Sequence, residues 1–212
     1  MLPHAPVVWQ DGHVPDELTI SVLVLSATDF RTRVDELVDI HLDAMDYPRS
    51  AHLQRRMLWT SCSQRPGFAC AVALEHPAGT TANPSDRSQT ALGVAFGYPG
   101  DDTTWWYREV HRGLRSSGLS PDDASRTLSN YDEVSEVHVR PGHQRHGVGR
   151  RLLVCLLDQL SSSQALLSTP EVPDEDNAAW TLYRATGFHD VLRNFRFGTD
   201  PRPFGVLALD RS

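Results

Sequence analysis

The chain has 212 residues, 40% apolar and 22% charged, with 27 acidic against 20 basic residues and a formal net charge of −7. That is enough chain for one packed domain and too apolar for a disordered one. The acidic balance argues against a nucleic-acid surface, and no stretch approaches the ~20 apolar residues of a membrane span. Residues 1–18 lack a basic segment followed by an apolar run, so no secretory leader is read and a cytoplasmic protein is expected.

Residues 1–17, with Pro3, Pro6, Gly12 and Pro15, read as an irregular arm. Leu18 to Leu25 alternates as a strand. Thr28 or Asp29 is a candidate N-cap for a helix that places Phe30, Val34, Leu37, Val38, His41, Leu42 and Met45 on one face. After Pro48 a second helix is expected from about Arg49 to Ser61, with Leu53 and Met57 inward. Phe68 to Leu74 and Ala91 to Tyr98 read as strands joined by a turn-rich, mobile hairpin loop from His76 to Gln89.

Residues 100–130 form a long, polar, partly helical insertion containing Trp105 and Trp106, which either anchor it or wall a binding site. Asp101, Asp102 and Glu109 there, and Asp43 and Asp46 at the end of the first helix, are surface carboxylates that could draw in a cation. Then come a strand from Glu133 to Val139, a helix from His146 to Ser161, a short strand from Ala165 to Ser168, a helix from Glu175 to Thr186, and a closing pair at Val191 to Phe197 and Phe204 to Leu209. Cys62, Cys70 and Cys155 are odd in number and without Cys-x-x-Cys spacing, which favours small buried residues over disulfides. No His-x-x-x-His lies near carboxylates, and no metal is expected.

The segment from Glu136 to Arg151, EVHVRPGHQRHGVGRR, is an alternating strand that breaks at Pro141 and passes two glycines into a helix. A helix N-terminus presents free N–H groups and the positive end of the dipole, so an anion can be held there by backbone. Arg140, Arg145, Arg150 and Arg151 concentrate positive charge against the overall trend. A dinucleotide fingerprint would need a third glycine and a downstream acid, and a Walker loop a lysine, which the chain lacks altogether.

With Gln144-x-x-Gly147-x-Gly149 between Val137-x-Val139-x-Pro141 and the stripe Leu152, Leu153, Leu156, Leu157 and Leu160, this segment resembles motif A of the GNAT N-acetyltransferase superfamily. Residues 176–188, DNAAWTLYRATGF, resemble the family's closing helix, with Ala179, Leu182, Tyr183, Gly187 and Phe188 in register. Asp176 occupies the family's asparagine position and Asn177 falls one place later.

The resemblance spans about residues 18–210. It implies the GNAT fold, an α+β domain over residues 18–212 with a mixed, mostly antiparallel sheet flanked by helices in the order β-α-α-β-β-β-α-β-α-β-β. It implies an acetyl-CoA-dependent N-acetyltransferase acting on a small-molecule or protein amine. The backbone of Val137, His138 and Val139 would hold the pantetheine arm. The turn formed by Gln144, Arg145, His146, Gly147, Val148, Gly149 and Arg150 would hold the pyrophosphate, and Asp176 and Asn177 would stand near the arm.

By count from Gln144, Glu133 matches the position of the general base in histone-type members, and Tyr183 matches the family's general acid. On alternation alone Glu133 shares its face with Val139 and Glu136 points to the other face. Whether Glu133, Glu136 or a water takes the proton stays open. The competing class is a non-catalytic acyl-CoA-binding sensor or assembly subunit, which would keep the same glycine turn. Family habit leaves a homodimer open.

Overall fold

A computed structural model describes residues 17–198 and 200–211. The arm expected over residues 1–17 lies outside them but for Glu17. Seven strands form one sheet in the order β1-β2-β3-β4-β5-β7-β6, comprising β1 (Leu18–Val24), β2 (Ala69–Pro77), β3 (Thr90–Pro99), β4 (Tyr131–Val139), β5 (Gln164–Pro170), β6 (His189–Phe195) and β7 (Phe204–Asp210). Every neighbouring pair is antiparallel except β4 with β5. Six helices flank it: α1 (Ala27–Met45), α2 (His52–Cys62), α3 (Trp105–Ser116), α4 (Pro121–Thr127), α5 (Val148–Leu157) and α6 (Ala178–Thr186). This is the expected α+β architecture in the expected order, with α3 and α4 built from the insertion.

Local chemistry sets the helix ends. Ser26, rather than Thr28 or Asp29, caps α1 by accepting from the Asp29 backbone N–H at 3.0 Å, and its hydroxyl donates in turn to the Asp29 carboxylate. Thr104 caps α3, and Ser120 caps α4 with Pro121 in its first turn. The helix at motif A begins at Val148 instead of His146, because Arg145 (φ 64°) and Gly147 (φ 77°) are left-handed. The last helix begins at Ala178, after a single 3-10 turn at Pro173–Glu175, instead of at Glu175.

One face of the sheet carries two helical layers. Phe30, Leu37, Val38 and Trp59 of α1 and α2 pack on Val72, Val94 and Phe96 of β2 and β3. Val110, Leu114 and Leu128 from the insertion pack with Tyr131, Leu166, Leu192 and Val206. The other face is covered by α5 and α6, whose Leu152, Leu156, Trp180 and Tyr183 meet Ala95, Val134, Leu167 and Leu207. Trp106 anchors the insertion, its ring 5.7 Å from Tyr131 and its indole N–H donating to Ser168 at 3.2 Å, while Trp105 is 56% exposed beside Phe197.

Three expectations change. Leu53 and Met57 are each 64% exposed, because α2 turns Trp59 and Cys62 inward. The 76–89 connection is tied to α1: the fully buried Arg33 donates to the carbonyls of Pro84 (2.6 Å), Gln89 (3.0 Å) and Asp86, and pairs with Glu36 at 2.8 Å. Cys62 and Cys70 are buried and unbridged, but Cys155 on α5 is half-buried.

Candidate active site

The parallel pair of β4 and β5 is short. Tyr131, Asp132 and Glu133 align with Gln164, Ala165 and Leu166, and beyond Glu133 the strands part, β4 staying with β3 and β5 with β7. From Val134 to Val139 the β5 side of β4 has no strand partner among the described residues, which leaves main-chain donors and acceptors open to a ligand. The resemblance puts the pantetheine arm along this edge. The side chains of Val137 and Val139 pack toward α5, and His138 points to the opposite face.

The same gap is closed at one end by the N-terminus of α5. Gly147 is its N-cap with no side-chain acceptor, so the first-turn N–H groups of α5 have no side-chain cap. Val148 is buried beneath them, and a Cβ at Gly149 would only reach ordinary contact with Val139 and Leu182. Arg145, His146 and Arg150 are exposed at the turn, and neither arginine has an ion-pair partner among the described residues. Gln144 folds back instead, its amide donating to the Val139 carbonyl at 3.0 Å, so it braces the turn against β4. Asn177 is also committed: its side chain accepts from the Trp180 N–H at 2.9 Å and caps α6, leaving the exposed Asp176 beside it.

The two glutamates of β4 lie on one face, contrary to the alternation. Phe96 pairs with Glu136 and Gly97 with Val134, so Ser135 is the extra residue of a bulge. After the bulge the parity flips, which puts Glu133, Glu136 and His138 together toward α1 and α2, and Glu133 on the face opposite Val139. Gly97 permits the close approach, since a Cβ there would sit 2.4 Å from the Glu133 carbonyl oxygen.

Glu133 lies on the seam between the two helical layers, 7% exposed, with the Tyr98 hydroxyl donating to Oε1 at 3.1 Å. Burial pushes its carboxyl up to about 7, against the Tyr98 hydrogen bond and the Arg65 charge. Arg65 stacks 4.3 Å over the Tyr98 ring and pairs with Asp101 at 3.7 Å. Glu109 is likewise neutralised by Arg112 (2.8 Å), and Asp43 by Arg49 (2.5 Å) and Arg140 (3.4 Å), so these carboxylates do not form a free acidic patch.

Glu136 is half-buried, its side chain 16% exposed. His138 Nε2 stands 2.5 Å from its Oε2, His41 Nδ1 of α1 3.6 Å away, and the Trp59 indole N–H donates to its Oε1 at 3.3 Å. Burial alone would raise this carboxyl, but His138, His41 and Arg55 outweigh it and hold it below the ordinary value. Burial lowers His41 to about 4, which keeps that imidazole neutral near pH 7. Of this cluster the sequence singles out His138 and Glu136 for the site, but not His41 or Trp59. Two further wall residues went unread: Arg202, from the β6–β7 loop, donates to the Tyr47 hydroxyl beyond α1 at 2.9 Å.

Tyr183 comes to the gap from the α6 side, packed 5.7 Å from Phe188. Burial raises its hydroxyl above the usual tyrosine value, and the Glu136 charge adds to the rise across the parted strands. Its hydroxyl makes no hydrogen bond among the described residues.

A family model described as the acetyltransferase (GNAT) family matches residues 34–188. The Mycobacterium tuberculosis protein named GCN5-like protein acetyltransferase Rv2170 is 36% identical over 201 residues, covering 90% of this chain and 98% of its own. Among solved structures, a GNAT-family protein from Desulfovibrio desulfuricans superposes with a TM-score of 0.55 at 12% identity, over 92% of this chain and 99% of its own. The Salmonella typhimurium protein yncA, solved with its cofactor acetyl-CoA, does so with a TM-score of 0.54 at 17% identity, over 91% and 94%. No helix of the described residues is long and apolar enough to cross a membrane.

Proposed function

The chain belongs to the GNAT acetyltransferase family and takes acetyl-CoA as its co-substrate, and from that premise we propose that it acetylates a primary amine on a protein by direct attack on the thioester. The observation that carries the mechanism is the parting of β4 from β5 at Glu133, with Tyr183 on one side of the gap and the β4 carboxylates on the other. The pantetheine arm would lie along the free edge of Val137, His138 and Val139, and the pyrophosphate on the backbone N–H groups of Gly147, Val148, Gly149 and Arg150. Arg145 and His146 would add charge at the rim, Gln144 would hold the turn, and Asn177 would fix α6.

In the reaction the amine nitrogen bonds to the acetyl carbonyl carbon as its proton passes, through water, to Glu133. A carboxyl poised near 7 suits that transfer at physiological pH. The tetrahedral intermediate then collapses, the carbon–sulfur bond breaks, and the departing thiolate takes the Tyr183 proton. Burial keeps that hydroxyl protonated until it is needed. The choice of a protein amine rests on the name of the M. tuberculosis relative.

Glu133→Ala and Tyr183→Phe test the roles. Each is expected to lose most turnover, measured as CoA release, while binding CoA as tightly as the parent. Unchanged turnover in both would overturn these roles for Glu133 and Tyr183, whereas a parent chain that binds CoA without releasing it from acetyl-CoA would be a non-catalytic acyl-CoA-binding module. Labelled acetyl-CoA offered to lysine and N-terminal peptides beside polyamines and aminoglycosides tests the acceptor, and transfer to the small amines alone would overturn the protein assignment.

A further inference from the structure

His41 on α1 and the pair Glu136 and His138 on β4 bring three metal-ligating atoms within 4.8 Å of one another, each from a different side chain. His41 Nδ1 is 2.9 Å from His138 Nε2, which is 2.5 Å from Glu136 Oε2, and Oε2 is 3.6 Å from His41 Nδ1. The three atoms thus form a triangle with sides of 2.5, 2.9 and 3.6 Å.

No arrangement of protons on neutral imidazoles satisfies this cluster. If His138 Nε2 carries a proton, it points at both the Glu136 oxygen and the His41 nitrogen, and His41 must then carry its own proton on Nε2, which is buried without a partner. If Nε2 is bare it accepts from His41, but then two lone pairs oppose each other across 2.5 Å at the Glu136 carboxylate. A cation at the centre lets all three atoms be acceptors toward it and so removes the opposition across 2.5 Å, while His41 keeps its proton on Nε2 with or without the cation.

We propose that His41, Glu136 and His138 form a binding site for a first-row divalent cation, zinc foremost. The donor set is two imidazole nitrogens and one carboxylate oxygen, which suits zinc and leaves a fourth position open. Tetrahedral zinc with bonds of ~2.0–2.1 Å needs ligand atoms about 3.3 Å apart. The two short separations must therefore widen by less than about 1 Å, within the reach of side-chain rotation. The outer support is present: the Trp59 indole N–H holds the second Glu136 oxygen at 3.3 Å, and the Trp59 and Tyr47 rings pack edge-on against His41 at 5.4 Å. Local spacing gave no hint of the site, since His41 and His138 are 97 positions apart.

The test uses the full chain, tag removed and stripped with chelator, titrated with zinc by calorimetry and with cobalt(II) by visible absorption. One equivalent of zinc is expected, together with the intense cobalt bands of a four-coordinate site. Glu136→Gln and His138→Ala, at half-buried positions and checked for unchanged melting, should each lose at least tenfold in affinity and the cobalt bands. Trp59→Phe, which removes only the supporting N–H, should weaken binding about tenfold, and Glu133→Gln should leave it unchanged. No stoichiometric zinc, or zinc retained at full affinity in Glu136→Gln and His138→Ala, overturns the proposal.

Discussion

The Tyr98 hydroxyl donates to Glu133 Oε1 at 3.1 Å, and this contact joins a strand-β3 phenol to a carboxyl almost wholly removed from water. Burial favours the neutral form, raising the group from 4.5 to about 7 in the folded chain. A raised carboxyl contributes stability that is fully present below about 4.5 and is lost as pH rises through about 7. Glu133→Gln cannot ionise and keeps that contribution. The melting temperature of the variant relative to the parent should therefore climb between pH 5 and pH 8, by the equivalent of about 2 kcal/mol. A difference that is flat across that range would show that Glu133 is not desolvated as the geometry requires.

The same shift sets the rate profile. A base must be ionised to accept the amine proton, so kcat/KM should rise with pH and level off above about 7. Glu133→Gln should lower the plateau by about 10²–10⁴-fold and remove the inflection near 7, leaving only the ionisation of the acceptor amine itself. Should the inflection survive in Glu133→Gln, the base is another group, and Glu136 on the same face would be examined by the same substitution.

Gly147 holds φ at 77° with nothing within 4 Å of where a Cβ would be, so its requirement is conformational and not steric. A left-handed conformation costs a β-branched residue about 1–2 kcal/mol and an asparagine less. CoA affinity measured by calorimetry should thus fall in the order Gly147, Gly147→Asn, Gly147→Val, with the valine variant about tenfold weaker. Equal affinity in all three would mean that the turn at the start of α5 does not hold the pyrophosphate.

How much of this was readable beforehand follows from what a sequence records. The apolar stripe Leu152, Leu153, Leu156 and Leu157 and the glycines before it mark α5 directly, because periodicity and left-handed φ leave compositional traces. The bulge at Ser135 leaves none: a serine in a strand looks like any other, yet it moves Glu136 to the face of Glu133. Asn177 carried a readable signal, being an asparagine at the start of an apolar helix, and its capping role outranks contact with a ligand. His41, Tyr47 and Arg202 reach the site only through tertiary folding, so no local pattern could join them to β4.

Arg33 is the clearest case of a charge whose purpose is invisible in sequence. It stands on the inward face of α1 with no exposed surface, donating to the carbonyls of Pro84, Asp86 and Gln89, while its partner Glu36 accepts from the Ala91 N–H at 2.7 Å and so fixes the start of β3. Removing it strands one buried and two half-buried carbonyls and one carboxylate at once. Arg33→Met should lower unfolding free energy by about 2–4 kcal/mol and speed amide exchange across residues 83–91. Arg33→Lys should recover little, because one ammonium cannot reproduce a planar fork that addresses several acceptors. Adding Glu36→Gln to Arg33→Met should return part of the loss, since the unpaired charge is then gone. Near-parent stability in Arg33→Met would mean that the loop holds its shape without the clamp.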